Sequence, residues 1–419
     1  MNLSWPIISL LALLLSNNSF AFELSQQLKL EPGLRYRHQQ VNDPVRGDAT
    51  ADTLKLRLSA DWQVNDNWKS FAQFDHVQAF NEDSYNSITV TRATSPIPDP
   101  SGSELNQLYL QYKSDGNWSA SLGRQSIGFD NERHIGKIEF WQNDQNFDAL
   151  SWTYQDNLHW TLHYVYLNKV HRIFGDDATE ILPLEDIRFS NNPNRPPVEL
   201  GNHKQNSHLI NLKYSLNRTL KVTVFSYLLD NQTSVQQATK TYGLRASGKF
   251  KPRQLKYAYT VEVAQQKGAF DNPWSYTAPY YLAEFSSQYK SHQLQLSYER
   301  LEQDNGFVFD TSLGTNHKFQ GWADVFSGYR LSAGLEDKYI TYRGRNGKIR
   351  WRVVAHQFTS VEGDIRIGKE FDVELAYRYN RQWEFKLIAA KYMADKGLAN
   401  SPTSQQDLST WSVSVAYNL

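Results

Sequence analysis

Apolar and polar residues alternate along most of this chain. Leu54, Leu56, Leu58, Ala60 and Trp62 are separated by Lys55, Arg57, Ser59 and Asp61. The same period holds for Leu158–Tyr166, Leu255–Val263 and Phe371–Tyr379. A period of two over eight or more residues predicts strands with one apolar and one polar face. No sustained helical period occurs, and no Pro/Ser-rich linker divides the chain.

The gaps between these runs alternate in length. Short polar turns fall at 64–67, 114–117, 155–157, 217–218, 251–253, 291, 344–346 and 380–381. Longer segments fall at 41–51, 77–103, 125–146, 168–206, 230–240, 265–279, 302–333, 359–365 and 394–408. Strict alternation of short and long predicts an all-β fold: a transmembrane antiparallel barrel of about 18 strands, with short periplasmic turns, long extracellular loops and both termini in the periplasm. A soluble sandwich or propeller accounts for the alternation within strands but not for that of loop lengths. It also needs its apolar face covered. Beside the short turns stand Trp62, Trp68, Trp118, Trp160, Tyr289, Tyr379 and Trp383, where a bilayer interface places aromatic girdles. The last run, Trp411, Val413, Val415, Tyr417 and Leu419, resembles an outer-membrane insertion signal, although a terminal Phe is more usual.

Residues 1–21 read as a secretory signal peptide. Ile7–Leu15 is apolar except for Ser9 and too short to span a bilayer, and Ser19-Phe20-Ala21 sets cleavage after Ala21. The segment before the apolar run lacks Lys and Arg, which is atypical; a buried N-terminal helix is the alternative. Residues 22–419 are then one barrel domain in the cell outer membrane.

Composition narrows the chemistry. In 419 residues there is no Cys, which removes disulfides, thiolate catalysis and Cys-ligated metals. Lys plus Arg and Asp plus Glu are 44 each, so nothing suggests a nucleic-acid partner. Mean hydropathy of −0.62 excludes a helical membrane protein but not a barrel. If the apolar parity faces lipid, basic residues outnumber acidic ones on the inward parity. Closure of the barrel gathers Arg35, Arg37, Lys55, Arg57, Lys348, Arg350, Arg352 and Arg378 on one wall. Arginine forks bind carboxylates, and a ring of them selects anions. The alternative is that these charges pair with neighbouring acids, Asp372 and Glu374 among them, and only stiffen the wall. Opposing acids keep cation selectivity open.

Eighteen strands enclose a water-wide lumen unless loops fill it. Candidate constrictions are 125–146, 168–206 and 302–333. The last carries Phe307, Phe309, Phe319, Trp322 and Phe326, which either fold inward or pack only among loops. No G-x-S-x-G or H-E-x-x-H motif occurs. His159 and His163 read as ordinary lumen residues, and no catalytic residue, cofactor or metal is assigned. His171, Asp176 and Asp177 are placed to bind a divalent cation at most without catalysis.

Two segments carry a family likeness. Gly123-Arg124-Gln125 leads through Asn131-Glu132-Arg133 to Phe147-Asp148-Ala149. Later come His317-Lys318-Phe319-Gln320-Gly321-Trp322-Ala323-Asp324-Val325-Phe326 and Gly334-Leu335-Glu336-Asp337. Both resemble the alginate-export family of outer-membrane proteins. The resemblance implies an 18-stranded diffusion channel with arginines in its constriction, and adds Arg124 and Arg133 to the candidate lumen set. The parity of Trp118, Ala120 and Leu122 points Arg124 to lipid, so a bulge near Gly123 or the start of the loop is required to turn it inward. The expected partners are anionic small molecules or polyuronate, with outer-membrane lipid and lipopolysaccharide outside. Monomer and trimer both stay open. Two functions follow: a passive channel for anionic solutes, uronate oligosaccharides or exported alginate-type polymer among them; or a general porin or loop-sealed barrel with a surface-binding or hydrolytic role.

Overall fold

The computed structural model describes residues 22–25, 27–156, 158–326, 332–398 and 401–418. The signal segment 1–21 with its cleavage site, and Leu419, lie outside the described residues.

The barrel strands are β1 (Leu28–Asn42), β2 (Ala49–Gln63), β3 (Trp68–Ala79), β4 (Gly102–Lys113), β5 (Trp118–Gln125) and β6 (Asn146–Gln155). They continue as β7 (Trp160–His171), β8 (Asn202–Ser215), β9 (Lys221–Leu229), β10 (Thr239–Phe250), β11 (Leu255–Gly268) and β12 (Thr277–Tyr289). The rest are β13 (His292–Leu301), β14 (Leu335–Asn346), β15 (Ile349–Thr359), β16 (Arg366–Arg378), β17 (Trp383–Ala394) and β18 (Leu408–Asn418). Each pairs antiparallel with its neighbour, and β18 returns to β1 from Gly33↔Asn418 to Asn42↔Ser409. A short segment, Phe22–Ser25, pairs back on the start of β1. The result is a closed 18-stranded barrel. Closure satisfies every ladder without an edge, which a bilayer demands.

Short turns and long loops alternate around it as the sequence spacing predicts. Turn bounds shift by a residue or two in places, and one shift moves a charge: the strand continues through 344–346, so the turn falls at 347–348 and Arg345 joins Arg343 in β14. The two faces separate cleanly. Leu56, Leu58, Leu108, Leu122, Leu244, Val263, Leu296 and Phe371 are exposed on the outer parity, where lipid covers them. Gln73, Ser121, Asn211, Thr241 and Thr341 are buried on the inner parity. Trp62, Trp68, Trp118, Trp160, Tyr289 and Tyr379 are exposed beside the turns. Trp68, Tyr112 and Trp118 pack in a row of tilted rings, with centres 4.9 and 5.3 Å apart. Trp383 is the exception: it is 4% exposed and packs on Tyr417.

The hydrophobic core lies inside the barrel, where loop side chains pack on inward strand residues such as Phe147, Tyr280 and Phe358. Segments 80–101, 126–145 and 302–334 bury Tyr85, Ile97, Ile135, Trp141, Phe309, Trp322 and Phe326. The aromatic loop therefore folds inward. Phe307 packs loop to loop, stacked on Trp274 at 4.5 Å.

Candidate functional site: a lumen narrowed by three loops

The inward loops are tied to one another by backbone. Gly136 N–H donates to Leu313 O at 2.8 Å, and Thr315 N–H to Glu132 O at 2.9 Å. The Gln145 amide caps Gly136 O and Leu313 O at 2.8 and 3.0 Å. The approach is close enough to require glycine. A Cβ on Gly314 would lie 2.0 Å from Arg133 O. The Asp99 carboxylate joins segment 80–101 to segment 126–145 by accepting Gln142 N–H at 2.6 Å.

Arginines then tie this assembly to the wall. Arg37 on β1 meets Asp99 at 2.6 Å, with its guanidinium 4.4 Å from the Phe140 ring centre. Arg57 on β2 bonds Asp75 on β3 at 2.7 and 2.5 Å and Asp144 at 2.5 Å. Lys55 stands 3.6 Å from Asp144. Burial opposes the Asp144 charge, yet Lys55, Arg57 and Arg35 together hold its carboxyl well below the usual carboxylate range. Arg35 donates to Gln142 Oε1 at 2.9 Å and to Glu139 O at 3.0 Å. Arg133, itself in the loop and 2% exposed, bonds Glu299 at 3.0 Å, Glu284 at 3.2 Å and the Tyr339 hydroxyl at 2.5 Å. Arg352 on β15 bonds Glu374 at 3.1 Å and lies 4.3 Å from the Trp322 ring centre. Glu370 on β16 accepts Ala323 N–H at 2.7 Å.

The pairing anticipated from sequence holds for Arg352 with Glu374. Asp372 instead faces His356 at 3.5 Å, and Arg350 turns to Glu384. Arg350 and Arg378 share that one carboxylate, and their side chains remain 44% and 58% exposed. The wall also opposes like charges directly across its ladders. Arg343 faces Arg352, Arg345 faces Arg350, and Arg35 faces Lys55. Directly opposed cations destabilise a sheet. Among the described residues Arg343 hydrogen-bonds side-chain amides, with Nη1 2.9 Å from Gln295.

Two cavities flank the 126–145 loop. One of about 270 Å³ is lined by Arg35, Arg37, Lys55, Arg57 and Lys386, with Glu139, Asp144 and Glu384. The other, about 340 Å³, is lined mainly by amides and hydroxyls: Gln107, Gln111, Gln125, Ser121, Ser151 and Asn211, with Asp130 and Lys213.

Arg124 stands apart from the lumen. Its register runs unbroken through Gly123 on both sides, Tyr109↔Gly123 and Gly123↔Ala149, so no bulge turns it. It keeps the parity of Leu122, which is 65% exposed outside, and pairs with Asp148 at 2.9 Å. The bulges fall nearby instead: Asn106 of β4 is the extra residue opposite Gln73/Phe74, and Asn168 of β7 the extra residue opposite Asp148/Ala149. Gln125 takes the inward place and accepts from Ser151 at 2.7 Å. His171 joins Asp148 at 2.9 Å and Asp176 at 3.6 Å. Among the described residues no group of three His, Asp or Glu side chains is placed to hold a metal. His163 bonds the Thr153 hydroxyl at 3.0 Å, and His159 meets Ser215 O at 2.7 Å.

Sequence reasoning missed Asp75, Asp99 and Asp144 as partners, and Arg343 and Arg345 as wall residues. For Asp75 a signal existed: a hairpin closed at 64–67 sets it opposite Arg57. Arg345 was hidden by placing the turn too early, at 344–346; Arg343, already on the strand side of that turn, was overlooked on the inner parity. Asp99 and Asp144 carry no local signal, since the contact is made by loop folding.

An alginate-export family profile matches residues 26–295. Among solved structures, Acinetobacter baumannii OccAB4 superposes with a TM-score of 0.70 at 12% identity, covering 94% of this chain and 99% of that one. Pseudomonas aeruginosa OccK2 (OpdF) in complex with glucuronate gives 0.66 at 11%, covering 94% and 98%. P. aeruginosa OpdK with vanillate gives 0.66 at 10%, with the same coverage. No curated protein matches the chain. Profile and barrel together place the protein in the outer membrane, as a channel that belongs to the alginate-export family.

Proposed function

We propose that the channel passes small anionic, hydroxyl-rich solutes, sugar acids of the uronate kind, by passive diffusion. The observation that carries this reading is the set of opposed cations, Arg343/Arg352, Arg345/Arg350 and Arg35/Lys55, on one continuous wall. Holding like charges face to face costs stability, and a passing carboxylate recovers it through bidentate guanidinium contacts. The neighbouring cavity of amides and hydroxyls suits sugar hydroxyls. The inward loops favour monomers and short oligomers over a bulky polymer. The glucuronate and vanillate bound in the two structural relatives are both carboxylates. The test is liposome swelling in glucuronate and in glucose, solutes of nearly equal size. Faster entry of glucuronate, lost in a Arg350→Glu/Arg378→Glu double variant, supports the reading. Equal rates for both sugars reduce the protein to a general porin, and no swelling by a folded barrel supports the sealed-barrel alternative.

A further inference from the structure

The short-turn rim of the barrel carries its charge unevenly. Residues 212–224, 246–261 and 285–298 span three successive short turns, β8–β9, β10–β11 and β12–β13, with the strand ends that they join. They hold eight Lys and Arg and no Asp or Glu. The whole chain balances at 44 of each sign, so this sector is a local departure. Arg218, Lys251, Arg253 and Lys290 sit in or beside the turns, and Lys221, Lys249 and Lys256 on the strand ends; all seven are exposed. Of the eight, only Lys213 meets a carboxylate among the described residues, Asp130 at 3.6 Å.

Rings on the lipid-facing parity adjoin these turns. Phe250, Phe285 and Tyr289 are exposed there. Tyr257 joins them, its ring centre 5.1 Å from that of Phe250 and 5.8 Å from that of Phe285. Lys290 Nζ stands 5.3 Å from the Tyr289 ring centre. The β8–β9 turn leans onto the same outer face. Thr219 O accepts the Tyr259 hydroxyl at 2.8 Å, and a Cβ on Gly248 would lie 1.9 Å from that oxygen. Lys249 N–H donates to Arg218 O at 3.0 Å, which seats Arg218 beside the next turn. Arg253 and Lys290 have φ of 57° and 52°, a region where Gly or Asn is the usual choice. Aromatic rings in the bilayer with cations at its edge match an anionic phospholipid, acyl chains on the rings and phosphate on the cations. An acidic soluble partner would use the cations and leave the lipid-facing rings aside.

We infer that the β8–β13 sector of the periplasmic rim is a binding site for an anionic phospholipid of the phosphatidylglycerol type. Arg218, Lys251, Arg253 and Lys290 take the headgroup phosphate, and Phe250, Tyr257, Phe285 and Tyr289 take the upper acyl chains. A zwitterionic headgroup brings its own ammonium to the same cations and is held less tightly. The site lies outside the lumen and is independent of what the channel passes.

The test is native mass spectrometry of the full barrel, released from detergent that contains equimolar phosphatidylglycerol and phosphatidylethanolamine. Bound phosphatidylglycerol is expected to exceed phosphatidylethanolamine about fivefold or more, the equivalent of one near-surface cation acting on an anionic lipid. The variant Arg218→Gln/Lys251→Gln/Arg253→Gln/Lys290→Gln is expected to bring that ratio to about one. Where it fails to fold, Arg253→Asn/Lys290→Asn serves: asparagine suits the positive φ, and the ratio is expected to fall about twofold or more. A control, Lys169→Gln/Lys204→Gln/Lys240→Gln/Lys267→Gln, removes four lysines near the loop ends of their strands and is expected to leave the ratio unchanged. Equal retention of both lipids by the native barrel overturns the inference and leaves the patch to an acidic soluble partner. A ratio unchanged in the turn variants, or lowered as much in the control, also overturns it. So does displacement of the lipid by an equal amount of glycerol phosphate, because the acyl chains then contribute nothing. None of these readouts requires conductance, so failure of the channel reading is separately visible.

Discussion

The Arg133 guanidinium lies 3.7 Å from the centre of the Phe319 ring, and this contact joins two inward loops at the middle of the barrel. Glu299 and Glu284, from β13 and β12, bond the same guanidinium. One side chain thus ties both loops to the wall.

Removing that tie is expected to loosen the constriction. Arg133→Ala leaves Glu299, 1% exposed, without its charged partner and with the Tyr280 hydroxyl, at 2.7 Å, as a remaining donor. Breaking a buried pair from one side costs about 3–5 kcal/mol. The barrel strands are untouched, so the loss appears as loop release: larger, noisier single-channel currents, with heat-modifiable migration on gels retained. Quiet wild-type currents in the variant contradict the assignment.

Phe319→Ala tests the ring separately. A desolvated cation–π contact is worth about 2 kcal/mol. The variant is expected to show milder current noise than Arg133→Ala, and combining the two adds less than the sum, because one contact is shared.

Asp144 sets the charge of the basic cavity. Asp144→Asn leaves Lys55 and Arg35 without their nearest acid, while Arg57 keeps Asp75. Anion preference measured by reversal potential is expected to rise several-fold. Stability should fall by about 2–3 kcal/mol, below the full penalty of a broken buried pair because Asp75 remains.

The same residue gives a pH dependence. Its carboxyl is depressed in the folded state, so its contribution is full above the unfolded value of about 3.9 and fades as pH falls below it. Loop docking is expected to hold from neutral pH down to about 4 and to loosen below that. Current noise recorded from pH 7 to pH 3 checks this. The profile should be flatter in Asp144→Asn, which has already lost the group that titrates.

Gly314→Ala places a methyl 2.0 Å from Arg133 O. The loops must part to admit it. Protease cleavage within 126–145 or 302–334 is expected in this variant and not in the native barrel.

The barrel was legible because lipid imposes a strict rule: one face apolar, every ladder paired. Leu54–Trp62 shows that rule residue by residue, and turn and loop lengths supply the topology. The site was legible only in part. Arg35, Arg37, Arg57, Arg350, Arg352 and Arg378 fall on the inner parity, because parity is a local property. Their partners are not local. Arg37 meets Asp99 across 62 residues and Arg57 meets Asp144 across 87. Those contacts depend on loops folding inward, which no periodicity encodes. Arg124 shows the opposite case: a motif suggested the lumen, while the parity of Leu122 already pointed outward. Bulges on adjacent strands were invisible because Asn106 and Asn168 read as ordinary polar positions.

The central claim is that the basic wall, although partly neutralised by Asp75, Asp144, Glu374 and Glu384, still attracts carboxylate solutes. The most direct measurement is the reversal potential of the native channel in a planar bilayer under a salt gradient, repeated with glucuronate added on one side. The account predicts an anion-selective reversal potential and concentration-dependent block of the chloride current by glucuronate. A cation-selective or unselective channel whose current ignores glucuronate would contradict it.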